Sequence, residues 1–133
     1  AMPRDLMPGS CWVYLCVENV STVQWHPVSV IRIRNRMHAL IKGLGDWSNS
    51  LCDLAASRVA VRIKTEGPFG IQVCKHGARC NALLLIAGGV GVSPFLDLLC
   101  NMPEDSWWTK ITLVWAVRHQ EYDALSAFVD LKS

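Results

Sequence analysis

The chain has 133 residues, 51% of them hydrophobic, which is enough to bury a core and too apolar for a disordered chain. A net charge of +2 with 18% charged residues is too mild for a protein built to grip nucleic acid or an anionic membrane surface. Six cysteines show neither a Cys-x-x-Cys pair nor a zinc spacing with histidine, so reduced thiols are expected rather than disulfides or a metal site.

Residues 1–10, with Pro3, Pro8 and Gly9, form a turn-rich lead-in. Apolar runs with β-branched and aromatic members then predict strands at 11–18, 20–25, 28–34 and 37–42, and their short connections predict an antiparallel sheet or small barrel. Within the third run Val28, Val30, Ile31 and Ile33 do not alternate cleanly, which predicts a bulge near Val30. Arg32, Arg34 and Arg36 make a basic strip, read either as a solvated strand face or as a phosphate contact. After Gly43-Leu44-Gly45 a short helix is predicted from Ser48, because Leu51, Cys52, Leu54 and Ala55 fall on one helical face behind a serine cap. A strand at 59–64 follows, closed by the turn signal Glu66-Gly67-Pro68-Phe69-Gly70.

Residues 71–81 read as a connection, and a domain boundary is placed there, giving units 1–72 and 73–133. Beyond it the predicted order is strand (82–87), helix (94–100), a loop with Trp107-Trp108, strand (111–117) and helix (123–131). That is β-α-β-α, the start of a doubly wound parallel sheet, so the expected class is α+β followed by α/β. The longest apolar region, 82–99, is broken by Gly88, Gly89, Gly91, Ser93 and Pro94, whereas a bilayer span needs roughly 20 continuous apolar residues. No transmembrane segment is expected in this chain.

The junction at 83–94 carries the chemistry. An apolar strand empties into Gly88-Gly89-Val90-Gly91-Val92, and Ser93-Pro94 opens a helix with Ser93 read as the cap and Pro94 as its first residue. A strand, a glycine turn and a helix N-terminus aim backbone N–H groups and the positive end of a dipole at one point, where phosphate binds well. Gly89 and Gly91 match the first two glycines of the dinucleotide fingerprint, with Pro94 at the third. The absence of a Lys-Ser/Thr pair after them argues against an ATPase loop. A methyltransferase-like loop stays open, but its acid for the ribose is missing where the next strand ends at Val117-Arg118. A cation there favours a 2′-phosphate, and hence NADPH over NADH, against the plainer reading of a surface arginine.

Five blocks then stand in order: Gln24-Trp25-His26-Pro27-Val28-Ser29, Ile41-Lys42-Gly43-Leu44-Gly45-Asp46-Trp47-Ser48, Gly67-Pro68-Phe69-Gly70, Ala87 through Phe95, and Trp115-Ala116-Val117-Arg118. Together they resemble the dehydrogenase part of the ferric reductase and NADPH oxidase family, the plant-type ferric-chelate reductases most of all. The resemblance implies a ferredoxin–NADP reductase-like architecture: a flavin-binding antiparallel β-barrel, incomplete at its start, then the first half of a Rossmann-like parallel nucleotide-binding domain. It implies FAD contacts from His26, Pro27, Val28, Ser29, Ile41, Lys42, Gly45, Trp47 and Ser48, with Ser29 near the reactive edge of the flavin ring. Lys42 and Ser48 would then lie at the diphosphate. It implies NADPH contacts from Gly88, Gly89, Val90, Gly91, Val92, Ser93, Pro94 and Arg118. Val28 stands where the family usually places an aromatic against the flavin. The first barrel strands and the late Cys-Gly segment beside the nicotinamide are expected to lie outside this chain.

The activity implied is electron transfer from NADPH through FAD to haem in a membrane domain of the same full-length protein, and on to ferric chelate or dioxygen. The segment itself would then stand on the cytosolic face of a membrane. A flavin suits that step because it takes two electrons together and releases them singly. The competing reading is a non-catalytic module that keeps the fold and serves in assembly.

Overall fold

The computed structural model describes Gly9, residues 11–34, 36–70, 81–102, Ser106, residues 108–119 and Tyr122. Four strands, β1 (Trp12–Val17), β2 (His26–Ile33), β3 (Arg36–Ala39) and β4 (Ile63–Phe69), form one antiparallel sheet in the order β3-β2-β1-β4. Helix α1 (Asp46–Ser57) lies between β3 and β4 in sequence. A second sheet pairs β5 (Ala82–Gly88) with β6 (Lys110–Ala116) in parallel, in register from Ala82↔Lys110 to Gly88↔Ala116. Between them run a 3₁₀ turn (Gly89–Val92) and helix α2 (Ser93–Cys100). The expected class, antiparallel sheet followed by a parallel β-α-β unit, is the class observed.

Strand β2 explains the irregular apolar pattern. Val30 packs with Cys11 and Val13 inside the antiparallel sheet, while its neighbour Ile31, wholly buried, packs with Ala87, Val92 and Leu96 of the second unit. Successive side chains point to opposite faces of a strand, and here both faces are covered. The predicted bulge near Val30 is therefore absent: β2 is in continuous register with β1 (Trp12↔Ser29 to Leu15↔His26) and with β3 (Val30↔Ala39 to Ile33↔Arg36). The irregularity lies instead between Trp12 and Tyr14, opposite β4.

Three other expectations are corrected. Residues 20–25 form no strand, because Ser21 Oγ accepts from the backbone N–H groups of Val23 (3.4 Å) and Gln24 (3.2 Å), and the Val20 and Ser21 N–H groups fold back to Val17 O (both 2.9 Å). Such local bonds compete with a sheet ladder. The fourth strand starts at Ile63, not at 59, and runs through the expected turn Glu66-Gly67-Pro68-Phe69. Gly67 and Pro68 fall in the register shift between Trp12↔Phe69 and Tyr14↔Glu66, where a residue without an N–H is tolerated. The strand predicted at 37–42 is shorter, running from Arg36 to Ala39. The connection at 71–80 with the proposed boundary between 72 and 73, Trp107, the helix at 123–131 and most of the lead-in lie outside the described residues.

The two units are tied by one buried carboxylate. Asp97, in the apolar run Leu96-Asp97-Leu98 of α2, has no exposed surface and meets Arg32 of β2 in a two-pronged ion pair: Nε donates to Oδ1 (3.0 Å) and NH2 to Oδ2 (2.9 Å). The Arg32 backbone N–H also donates to Oδ1 (2.9 Å), and that of Gly9 to Oδ2 (2.9 Å). Gly9 sits at φ +86°, and a Cβ there would stand 3.0 Å from Leu98 Cβ, so only glycine fits under the helix. Hydrogen bonding to Asp97, outweighing the opposing effect of burial, pushes the Arg32 guanidinium above its ordinary pKa. The basic strip thus divides: Arg32 is an interior ion-pair partner, while Arg34 (φ +46°) and Arg36 are exposed.

Among the described residues no helix is long and apolar enough to cross a membrane.

Candidate functional site

A cleft of about 610 Å³ opens where the two units meet, lined by the start of β2, the segment from Leu40 into α1, and the glycine turn. His26, Pro27, Val28 and Ser29 all line it. Four consecutive strand residues on one cavity means that it meets the edge of the strand rather than a face. Strand β3 pairs with β2 only over Val30–Ile33, which leaves the 26–29 edge open to the cleft on that side.

Ile41, Lys42, Gly45, Trp47 and Ser48 line the next wall, together with Asp46. Helix α1 begins at Asp46 with Gly45 as its extended cap, so Ser48 is the third helical residue and not the cap itself. Its hydroxyl reaches back, accepting from the N–H groups of Leu44 (2.9 Å) and Gly45 (3.0 Å) and donating to Gly45 O (3.0 Å). The Ser48 hydroxyl proton is thereby used within the turn. Asp46 in the first turn complements the helix dipole and offsets part of the positive end that a phosphate would meet. Lys42, beside it, restores a cation to the wall.

The rings of His26 and Trp47 stack at 4.0 Å between centroids and 26° between planes. His26 Nε2 and Trp47 Nε1 are both buried and have no hydrogen-bond partner among the described residues. Buried polar atoms are normally paired, so two orphans on one cleft call for a bound partner. Gly45 and Gly91, both on the cleft, face open space: chain neighbours aside, an added Cβ would meet no atom of the described residues within 4 Å. Backbone bare of side chain and open in front lets a ligand approach closely. Flavin and nucleotide phosphates, which present acceptors and need such approach, fit these residues.

The third wall is the glycine turn, represented by Val90, Gly91 and Ser93. Gly89 adopts φ +50°, and Trp115 of β6 pins it by donating Nε1–H to Gly89 O (2.9 Å). Ser93 is buried and is not a side-chain cap: its hydroxyl donates to Val90 O (2.7 Å). The reason is that Val92 is already helical (φ −68°, ψ −20°), so the 3₁₀ turn runs straight into α2, with Pro94 as its second residue. Gly88, Gly89, Val92 and Pro94 do not line the cleft, and Val92 is a core residue against Ile31. Arg118 is exposed two residues beyond β6 and also stays off the cleft. It does lie at the C-terminal edge of the parallel pair, the edge at which the glycine turn leaves β5 and where nucleotides bind in open α/β sheets. Gln24, Leu40, Leu44 and Asp46, which sequence reasoning did not single out, complete the lining.

Residues 80–131 match the model of the ferric reductase NAD binding domain. Ferric reduction oxidase 8, mitochondrial, of Arabidopsis thaliana is 31% identical over 88% of this chain and 18% of its own, and ferric reduction oxidase 7, chloroplastic, of the same plant is 30% identical over 92% and 20%. The chain belongs to the ferric reductase and NADPH oxidase family. NADPH oxidase 1 of Mus musculus is a further relative, 25% identical over 66% of this chain and 15% of its own. The chain spans about a fifth or less of the length of these relatives. In fold it is similar to a mutant of ferredoxin-NADP+ reductase from Plasmodium falciparum whose crystal structure was determined with 2'P-AMP, with a TM-score of 0.50 at 15% identity over 95% of this chain and 55% of that one. The barrel-then-Rossmann expectation for the family is thus the fold observed.

Proposed function

We propose that the cleft holds FAD together with the nicotinamide end of NADPH, and that the chain is the electron-input part of a ferric reductase or NADPH oxidase-type flavoprotein. One observation carries this reading: the flavin-side blocks around His26 and Ser48 and the glycine turn, far apart in sequence, line one cavity. The flavin, when bound, supplies the exchange between two-electron and one-electron transfer. The chain's own residues provide the open β2 edge, the unpaired His26 and Trp47 nitrogens and the Lys42 cation as contacts for it. Val90 and Gly91 offer backbone to the nucleotide, and Arg118 takes the 2′-phosphate. In the full-length protein, electrons would go on to haem in a membrane domain, with this segment at the cytosolic face and ferric chelate or dioxygen as the terminal acceptor.

The full-length protein, purified, is expected to retain FAD and to bleach it on addition of NADPH; absence of flavin refutes the proposal. Arg118→Ala is expected to weaken NADPH at least tenfold while changing NADH little, because a charge-assisted phosphate contact contributes about 1.5–3 kcal/mol. Equal loss for both nucleotides would remove the 2′-phosphate assignment. One feature favours a non-catalytic module instead: Val28 offers no stacking surface, and Trp47, the aromatic on the cleft, is already stacked on His26. Under that reading His26→Ala leaves flavin binding unchanged.

A further inference from the structure

Asp97 is a full charge in the middle of an apolar helix, and it does not touch the cleft. Its two oxygens accept five hydrogen bonds: three from Arg32, one from the Gly9 N–H and one from Asn101 Nδ2 (3.2 Å). A carboxylate has about four lone-pair directions, so this one is saturated. Asn101 closes the unit by donating also to Arg32 O and Asp97 O (both 2.9 Å). Taking such a pair out of water is costly, and apolar residues of similar volume often hold packed elements together as well. A buried ion pair is therefore weak evidence of a role in stability alone. A planar guanidinium against a carboxylate does what apolar packing cannot, which is to accept one separation and one angle.

The placement of the pair gives that constraint a purpose. Arg32 lies three residues along β2 from Ser29, and Asp97 lies four residues, about one helical turn, along α2 from Ser93. Ser29 and Ser93 both line the cleft, one from each unit. We propose that Arg32 and Asp97 are a positioning pair, a buried fork that fixes the separation and angle between the β2 edge and the glycine turn and so sets the width of the cofactor cleft. Its consequence for catalysis rests on reading the cleft as a two-cofactor site. The geometric role does not.

The test compares the parent full-length protein with R32M/D97L, which replaces the pair by apolar residues, and with Arg32→Lys, which keeps the charge and removes the fork. In the double variant the backbone N–H groups of Gly9 and residue 32 lose their acceptor, so a lower melting temperature is expected, together with amide exchange over residues 26–29 and 89–92 that is accelerated at least tenfold more than over the rest of β1 and β5, read without added cofactor. With FAD bound, at least a tenfold rise in KM for NADPH is expected. Lost stability alone lowers the folded fraction and leaves the KM of the folded molecules unchanged, so the two roles separate. Arg32→Lys is expected to show the same exchange and KM changes in smaller degree, and it decides the matter if the double variant does not fold. Parent-like exchange and parent-like KM in a folded variant would overturn the proposal. A parent that holds no flavin would remove the two-cofactor reading, while the exchange measurement would still decide whether the fork sets the cleft.

Discussion

Ile31→Ala measures how far the two units depend on each other. Ile31 belongs to β2 of the antiparallel sheet, is fully buried, and packs against Ala87, Val92 and Leu96 of the second unit. The substitution deletes three buried carbons, about 2.4 kcal/mol at roughly 0.8 kcal/mol per methylene, and the cavity left behind widens the expected loss to about 2–5 kcal/mol. For a chain of this length each kcal/mol moves the melting temperature by about 4 °C, so a fall of about 8–20 °C is expected. Thermal and urea unfolding followed by circular dichroism would read it. A single transition should shift as a whole, because the strand that loses contact is shared by both cores. Val30→Ala, facing Cys11 and Val13 instead, is the comparison and should cost about 1.6 kcal/mol or more from the other side of the same strand. An Ile31→Ala loss below about 0.5 kcal/mol, or a split melt in which the antiparallel sheet unfolds at its parent temperature, would refute the shared-core account.

Trp115→Phe keeps an aromatic ring but leaves Gly89 O without the Nε1–H bond, so a loss of about 1 kcal/mol in urea unfolding is expected, with NADPH binding weakened severalfold and FAD retention unchanged. Unchanged NADPH affinity would show that the turn holds its shape without this anchor. Acid titration reads the surface pair of Glu18 with Lys64 (2.6 Å). The Lys64 hydrogen bond holds the Glu18 carboxyl below the usual carboxylate range, and the same bond holds Lys64 above the usual ammonium range. A depressed carboxylate contributes stability above its unfolded pKa, and that contribution is lost as the pH falls through the folded one. Glu18→Gln should therefore be slightly less stable than the parent at pH 7, with the difference shrinking as the pH falls below the usual carboxylate range. A difference that does not shrink on acidification would assign the effect to something other than the charge.

The order of elements was legible because apolar runs and turn residues punctuate the chain clearly: β1, β2, β5, α2 and β6 stand close to where the pattern puts them. The misreadings have a common cause, which is that sequence shows one neighbour at a time. Val30 and Ile31 look like a broken alternation, and the break disappears once two separate cores cover the two faces of β2. Ser48 and Ser93 are good cap residues by type, yet each bonds backwards into a preceding turn that is already folded. Residues 20–25 carry strand-forming side chains, but the Ser21 hydroxyl captures the backbone first. Twelve of the seventeen residues proposed for cofactor contact line the cleft, because the five family-like blocks carry position as well as residue type. Arg32 was readable as a cation and not as a partner, since nothing local connects it to a residue sixty-five places away. The one available signal was the acid itself, Asp97, set among leucines where a solvated charge has no reason to be.

The buried fork also bears on how this protein can be divided. A cut in 71–80 separates the units in the chain but not in space: it would uncover Ile31 on one piece and Val92 on the other, and strand a guanidinium and a carboxylate that now saturate each other. Neither half would then be the module it resembles when the sequence is read from end to end. An exchange of the nucleotide-binding half between relatives is thus expected to succeed only when the residue facing position 97 travels with it, which makes the join in such a chimera a property of β2 rather than of the linker.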